Sequence, residues 1–266
     1  KIRKLNGRGF LMKRMHPSLC LFVGLIIIIL APMTTFAEAD LRVAIQEDDL
    51  VTLQNLIAAG ADVNNRDGSG TTPLMFAVKH SANPEVIRIL SKAGADINTR
   101  NVIGRTALII AAEYNDNPDV ISILTSVGAD VNAQNDNGWT PLVYATWFND
   151  NLEVIKALIN AGADVNAIGE FGTTPLVLAV TFRETDVLEI LLESGVDVNT
   201  KDSFGLTPLM FAAAKSEDPG VIRVLLNAGA NGKIVCNDDK TAFDYARENP
   251  AIRNSDAYWL LNDARF

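Results

Sequence analysis

One phrase returns along this chain every 33 or 34 residues, and that interval constrains the fold more than any local propensity does. Thr-Pro-Leu stands at Thr72, Thr140, Thr174 and Thr207, with variants at Thr106-Ala107-Leu108 and Thr241-Ala242-Phe243. A second marker, glycine followed by Ala-Asp or a near variant, keeps the same phase at Gly60, Gly94, Gly128, Gly162, Gly195 and Gly229. A unit of this length cannot bury its own apolar face. A stack of such units can, each covering the next.

Each unit reads as a helix, a tight loop, a second helix and a glycine stop. Threonine before proline is a helix start, because its hydroxyl accepts an orphan N–H and proline fits a first position that needs none. Asn83-Pro84-Glu85 and Asn117-Pro118-Asp119 repeat this chemistry for the second helix, with an acid where the helix dipole favours negative charge; Asp218-Pro219 is a further copy. Apolar residues then recur at helical spacing, as at Val86, Ile87, Ile89 and Leu90, or Val154, Ile155, Leu158 and Ile159. Glycine after the last apolar turn suits the left-handed backbone that ends a helix. The polar remainder, such as residues 96–104, reads as an extended turn or hairpin finger joining one unit to the next.

Start, stop and period together resemble the ankyrin repeat, over roughly residues 38 to 266. The resemblance implies an all-α helical solenoid with β-hairpin or extended fingers and about seven helix pairs, caps included. Residues 38–71 would form the N-terminal cap, 72–240 five repeats and 241–266 the C-terminal cap. Two departures stand out. Most units carry one extra residue in the loop between the helices, at Ser81-Ala82-Asn83 and Asn115-Asp116-Asn117. The histidine that follows Thr-Pro-Leu in the family is replaced by Met75, Ile109, Val143, Val177, Met210 and Asp244, which removes a polar network the family often uses.

The first 37 residues differ from the rest. Met12-Lys13-Arg14 precede an apolar run from Leu19 to Ala31, and Thr35-Phe36-Ala37 offers a small-x-Ala exit. Together these predict a secretory signal peptide starting at Met12, cleaved after Ala37, and so a bacterial periplasmic protein. The alternative is an inner-membrane anchor formed by residues 19–31, although about 20 apolar residues are needed for a span. Losing the six basic residues of positions 1–37 would take the net charge from −9 to −15. Such acidity speaks against nucleic acid, whose binding rests on basic contacts, and against anionic membrane surfaces. It favours a partner with a basic or apolar surface.

Residues suited to chemistry are scarce. Beyond position 37 there is one histidine, His80, and one cysteine, Cys236, so neither a catalytic constellation nor a metal site nor a cofactor is expected. Gly68-Ser69-Gly70-Thr71-Thr72 lacks the lysine of a phosphate loop, and Asn135-Asp136-Asn137-Gly138 lacks the glutamate of a calcium loop, Tyr144 standing there instead. Both fall in phase with the fingers.

In ankyrin repeats the fingers and the exposed end of each first helix line a concave groove, the usual binding surface. The register places Val102, Ile103, Tyr114, Trp139, Trp147, Phe148, Phe171, Phe182 and Phe204 at or near it. Trp139, Trp147 and Phe148 are expected to be exposed, and Phe171 and Phe204 to pack finger against finger. Aromatic residues on such a surface favour binding. The expectation is a monomeric, non-catalytic protein–protein interaction module. An inhibitor or immunity protein that neutralises a toxic or secreted enzyme is the alternative.

Overall fold

The computed structural model describes residues 40–182 and 185–265; the side chain of Phe182 is outside that set. The expected signal peptide, Met12, the exit at Ala37 and the apolar run at 19–31 also lie outside the described residues. Among the described residues no helix is long and apolar enough to cross a membrane.

The described chain is a ladder of helices. Helix α1 covers residues 40–46. It is followed by α2 (Leu50–Ala58), α3 (Pro73–His80), α4 (Pro84–Lys92), α5 (Ala107–Tyr114), α6 (Pro118–Ser126), α7 (Pro141–Phe148) and α8 (Leu152–Asn160). Then come α9 (Pro175–Phe182), α10 (Thr185–Glu193), α11 (Pro208–Lys215), α12 (Gly220–Asn227), α13 (Ala242–Ala246), α14 (Pro250–Arg253) and α15 (Asp256–Ala264). The odd-numbered helices α3 to α13 pack side by side as an inner layer. The even-numbered helices α4 to α10 form the outer one.

The starts are as the sequence predicts. The hydroxyls of Thr72, Thr106, Thr140, Thr174 and Thr207 accept from the N–H three residues on, at 3.2–3.4 Å. Asn83, Asn117 and Asn151 cap α4, α6 and α8 in the same manner, each at 3.0 Å. All six stop glycines hold positive φ, where only glycine is free of a Cβ penalty. The inner helices present short apolar residues to one another: Ala77, Ala111, Ala112, Ala145 and Ala212 are each fully buried. Their small size lets neighbouring helices approach closely. Met75, Ile109, Val143, Val177 and Met210, which stand where the family has histidine, are buried as well. Each adds roughly 1.5–3 kcal/mol of apolar burial in place of a polar contact.

Asparagines take over the polar bridging. Nδ2 of Asn115 donates to the carbonyls of Val78 (2.7 Å) and Ser81 (2.9 Å), and Nδ2 of Asn149 donates to those of Ala112 and Asn115, both at 3.1 Å. The extra loop residue is thereby tied to the preceding unit. On the outer edge, Asn64, Asn98 and Asn132 each donate to the next unit's stop glycine and accept from its Asp96, Asp130 or Asp164 N–H.

Of the two finger forms expected, the turn is the one found; no strand occurs among the described residues. One side chain organises most fingers. Asn101 Oδ1 accepts from the N–H groups of Ile103 and Arg105, and Asn135 and Asp202 repeat that pattern. Single backbone bonds join successive fingers, such as Val102 N–H to the Ser69 carbonyl at 3.1 Å. The phosphate-like stretch around Gly68 is such a finger, with Asp67 as its acceptor.

The C-terminal end differs from expectation. A single last helix from Asn249 is broken at Asn254–Ser255 into α14 and α15, because Ser255 is extended (φ −112°, ψ 168°). Ile252, Ala257 and Leu261 face the stack, while Trp259 and Leu260 are exposed.

Candidate functional site

The candidate residues fall around two hollows on the face formed by the fingers and first helices. The larger, about 750 Å³, lies among α7, α9, α11 and the fingers between them. Trp139, Trp147, Phe171, Phe204, Leu178 and Phe211 line it, with Asp202 and Lys215 as its charged members.

Phe171 and Phe204 are 66% and 61% exposed, so they are free walls of the hollow and not the inter-finger packing expected of them. Phe171 is also the one site residue with strained backbone, at φ 60° and ψ 14°. Its finger has Gly169 where the others have an Asp or Asn acceptor, so it closes as a short 3-10 turn over Glu170–Gly172. A phenylalanine in that region costs energy, on the order of 1–3 kcal/mol. Its aromatic face stands out in solvent as a result.

Trp139 and Trp147 also depart from expectation. Both are half-buried, whereas Phe148 is 46% exposed. Trp139 packs against the core under Gly169, so close that a Cβ there would sit 2.5 Å from its Cδ1. Its Nε1–H is buried without a hydrogen-bond partner. The rings form a chain: Trp139 lies 4.9 Å from Trp147, and Trp147 stacks on Phe148 at 5.0 Å with 17° between planes. Trp139 is therefore a wedge that supports the wall.

The smaller hollow, about 310 Å³, lies among α1, α3 and α5. Tyr114, exposed at the end of α5, belongs here. Val102 and Ile103 are exposed on the finger beside it and line neither hollow, and Phe182 lies outside the described side chains. The stripe expected across the middle units is thus split in two.

Sequence reasoning missed the cations of the smaller hollow. Arg42 stands over the Phe76 ring (5.1 Å), Lys79 over Tyr114 (4.5 Å) and Arg105 over Tyr144 (4.7 Å). Arg42 pairs with Asp67 at 2.9 Å and Arg105 with Glu113 at 2.6 Å. Burial, then the charges of Lys79 and Arg42, lower the His80 pKa, leaving the ring neutral at pH 7. The signal was available in the repeat phase. Arg42 occupies the column that later holds Phe76, Ile110, Tyr144, Leu178 and Phe211.

Cys236, read as a quiet turn residue, is buried in the last finger with Sγ 3.4 Å from the Tyr245 hydroxyl. It takes the place of the Asp or Asn found in most other fingers.

Comparison with known proteins agrees with this architecture. Family models described as ankyrin repeats match residues 41–135 and 108–202 in a three-copy form and 193–246 in a many-copy form. Among solved structures, the ankyrin repeat domain of Bcl-3, a unique member of the IkappaB protein family, matches with a TM-score of 0.71. The two are 26% identical, over 80% of this chain and 96% of that one. No curated protein sequence matches. Ankyrin repeats are typically protein–protein interaction modules and generally non-catalytic. With matches running from residue 41 to residue 246, this chain belongs to the ankyrin repeat family.

Proposed function

We propose that the chain is a non-catalytic module that binds another protein through its concave face. The observation that carries this is the 750 Å³ hollow, where Phe171 and Phe204 stand exposed beside half-buried Trp147. Large apolar groups left in water around a concavity favour a binding site. Aromatic anchors in such a concavity supply most of an interface's energy. The same reading takes the module to be exported, with Leu19–Ala31 as the signal; intact mass would then show a chain beginning at Glu38.

The test is affinity capture from a periplasmic extract, comparing the parent with a Phe148→Ala, Phe171→Ala, Phe204→Ala variant. These three side chains are exposed, so their loss leaves the helices intact by circular dichroism. A protein retained by the parent and lost by the variant supports the concave face. Equal capture by both refutes it.

A further inference from the structure

We propose that the concave face takes a linear segment of its partner with acidic side chains at one end and apolar side chains at the other. This rests on the concave-face reading above and adds the chemistry and order of what binds. The net charge of −9 favours a basic partner, but the groove's own charges are arranged otherwise.

At the α1–α5 end three cations lie on aromatic rings of successive units: Arg42 on Phe76, Lys79 on Tyr114 and Arg105 on Tyr144. A guanidinium or ammonium held on a ring face is ordered in advance, with N–H groups left for an incoming acceptor. The two acids nearby are already engaged. Glu113 has a side chain only 8% exposed and is held by Arg105. Asp67 accepts from Arg42 and from the Ser69 and Thr71 N–H groups of its own finger. Lys79 has no acidic partner among the described residues, and it lines this hollow beside His80 and Tyr114. An unpaired ammonium between two satisfied arginine pairs attracts carboxylates and repels a basic segment.

The α7–α11 end is different. Its hollow is mostly ring and aliphatic surface, with a single acid and a single base, Asp202 and Lys215, among its lining. The two hollows are centred between two and three units apart. At roughly 10 Å per packed helix pair that is about 25 Å, which an extended peptide crosses in about eight residues.

The experiment is selection from a random 16-residue peptide display library on the purified chain, followed by affinity measurement of the enriched peptides by fluorescence anisotropy. The expected result is Asp or Glu about eight residues from Trp, Phe, Leu or Ile. Lys79→Glu, at an exposed position with no structural bond to lose, weakens these peptides about tenfold or more at low salt, and Lys79→Met weakens them less. Phe204→Ala weakens them independently. Enrichment of Lys- or Arg-rich peptides, affinity within twofold in Lys79→Glu, or no enrichment at all overturns the proposal. Peptides that depend on Phe171 and Phe204 but not on Lys79 sink the acidic end alone and leave the concave-face reading standing. Failure of that broader reading shows instead as equal protein capture by the triple-alanine variant.

Discussion

Gly169→Ala isolates how the wall of the larger hollow is held. The backbone at 169 is extended (φ −93°, ψ −166°), so alanine meets no conformational penalty there and gains about 0.4–1 kcal/mol by restricting the unfolded chain. Against this, the new methyl would lie 2.5 Å from Cδ1 and 3.0 Å from Nε1 of Trp139. Pushing the indole aside is overpacking, which costs about 1–3 kcal/mol. The expected net loss is about 1–2 kcal/mol in urea unfolding followed by circular dichroism, with a change in tryptophan emission. Repeat arrays can unfold in parts, so hydrogen exchange of the α7–α9 amides should show the loss locally. Trp139→Phe removes the two atoms the methyl meets and also the unpartnered indole N–H. In that background Gly169→Ala should be neutral or stabilising, giving a coupling of about 1–2 kcal/mol. Gly68→Ala, with nothing within 4 Å of its Cβ, is the control and should not destabilise. If Gly169→Ala alone were as stable as the parent, or if the coupling were below about 0.3 kcal/mol, Trp139 would not be the wedge described.

Other outcomes follow from the same geometry. Asn149→Ala removes two bonds from Nδ2 and one to Oδ1 at a buried position; the expected cost is about 3 kcal/mol in chemical denaturation, and a loss below about 1 kcal/mol would deny the loops their asparagine ties. Phe171→Gly relieves a left-handed phenylalanine, so it should leave stability unchanged or raise it while weakening partner capture; a clear loss of stability would show the ring to be core. Burial alone would raise the Asp67 pKa, but bonds from Ser69, Arg42 and Thr71 outweigh it and hold the carboxyl well below the usual range. A depressed folded pKa stabilises above the unfolded value of about 3.9 and is lost as the pH falls below it. Acid should therefore loosen the first finger, and Asp67→Asn should flatten that dependence in a pH series of hydrogen exchange. An unchanged acid limb would place its origin elsewhere.

The chain's own sequence determined the repeat, the helix boundaries and the stops, because these depend on groups within about four residues of each other. Thr72 caps Met75, Asn83 caps Glu85 and Gly94 ends α4 through bonds that the local order of residues specifies. The loss of the family's histidine was equally visible, but its replacement was not. Asn115 and Asn149 reach carbonyls 34 and 37 residues away, and only the stacking of units brings those within 3.1 Å.

The candidate site divides along the same line. Repeat phase was enough to put Trp139, Trp147, Phe148, Phe171 and Phe204 on one face. Which of them faces water was settled by the tertiary structure. Gly169 admits the Trp139 indole beneath its backbone, and a positive φ at Phe171 turns that ring outward. The cation-lined end was also a tertiary outcome, since Lys79 meets Tyr114 35 positions later only because one unit is laid against the next. Local rules decide where helices start and stop, but whether a side chain becomes wedge, wall or counter-charge depends on the neighbour that the stack sets beside it.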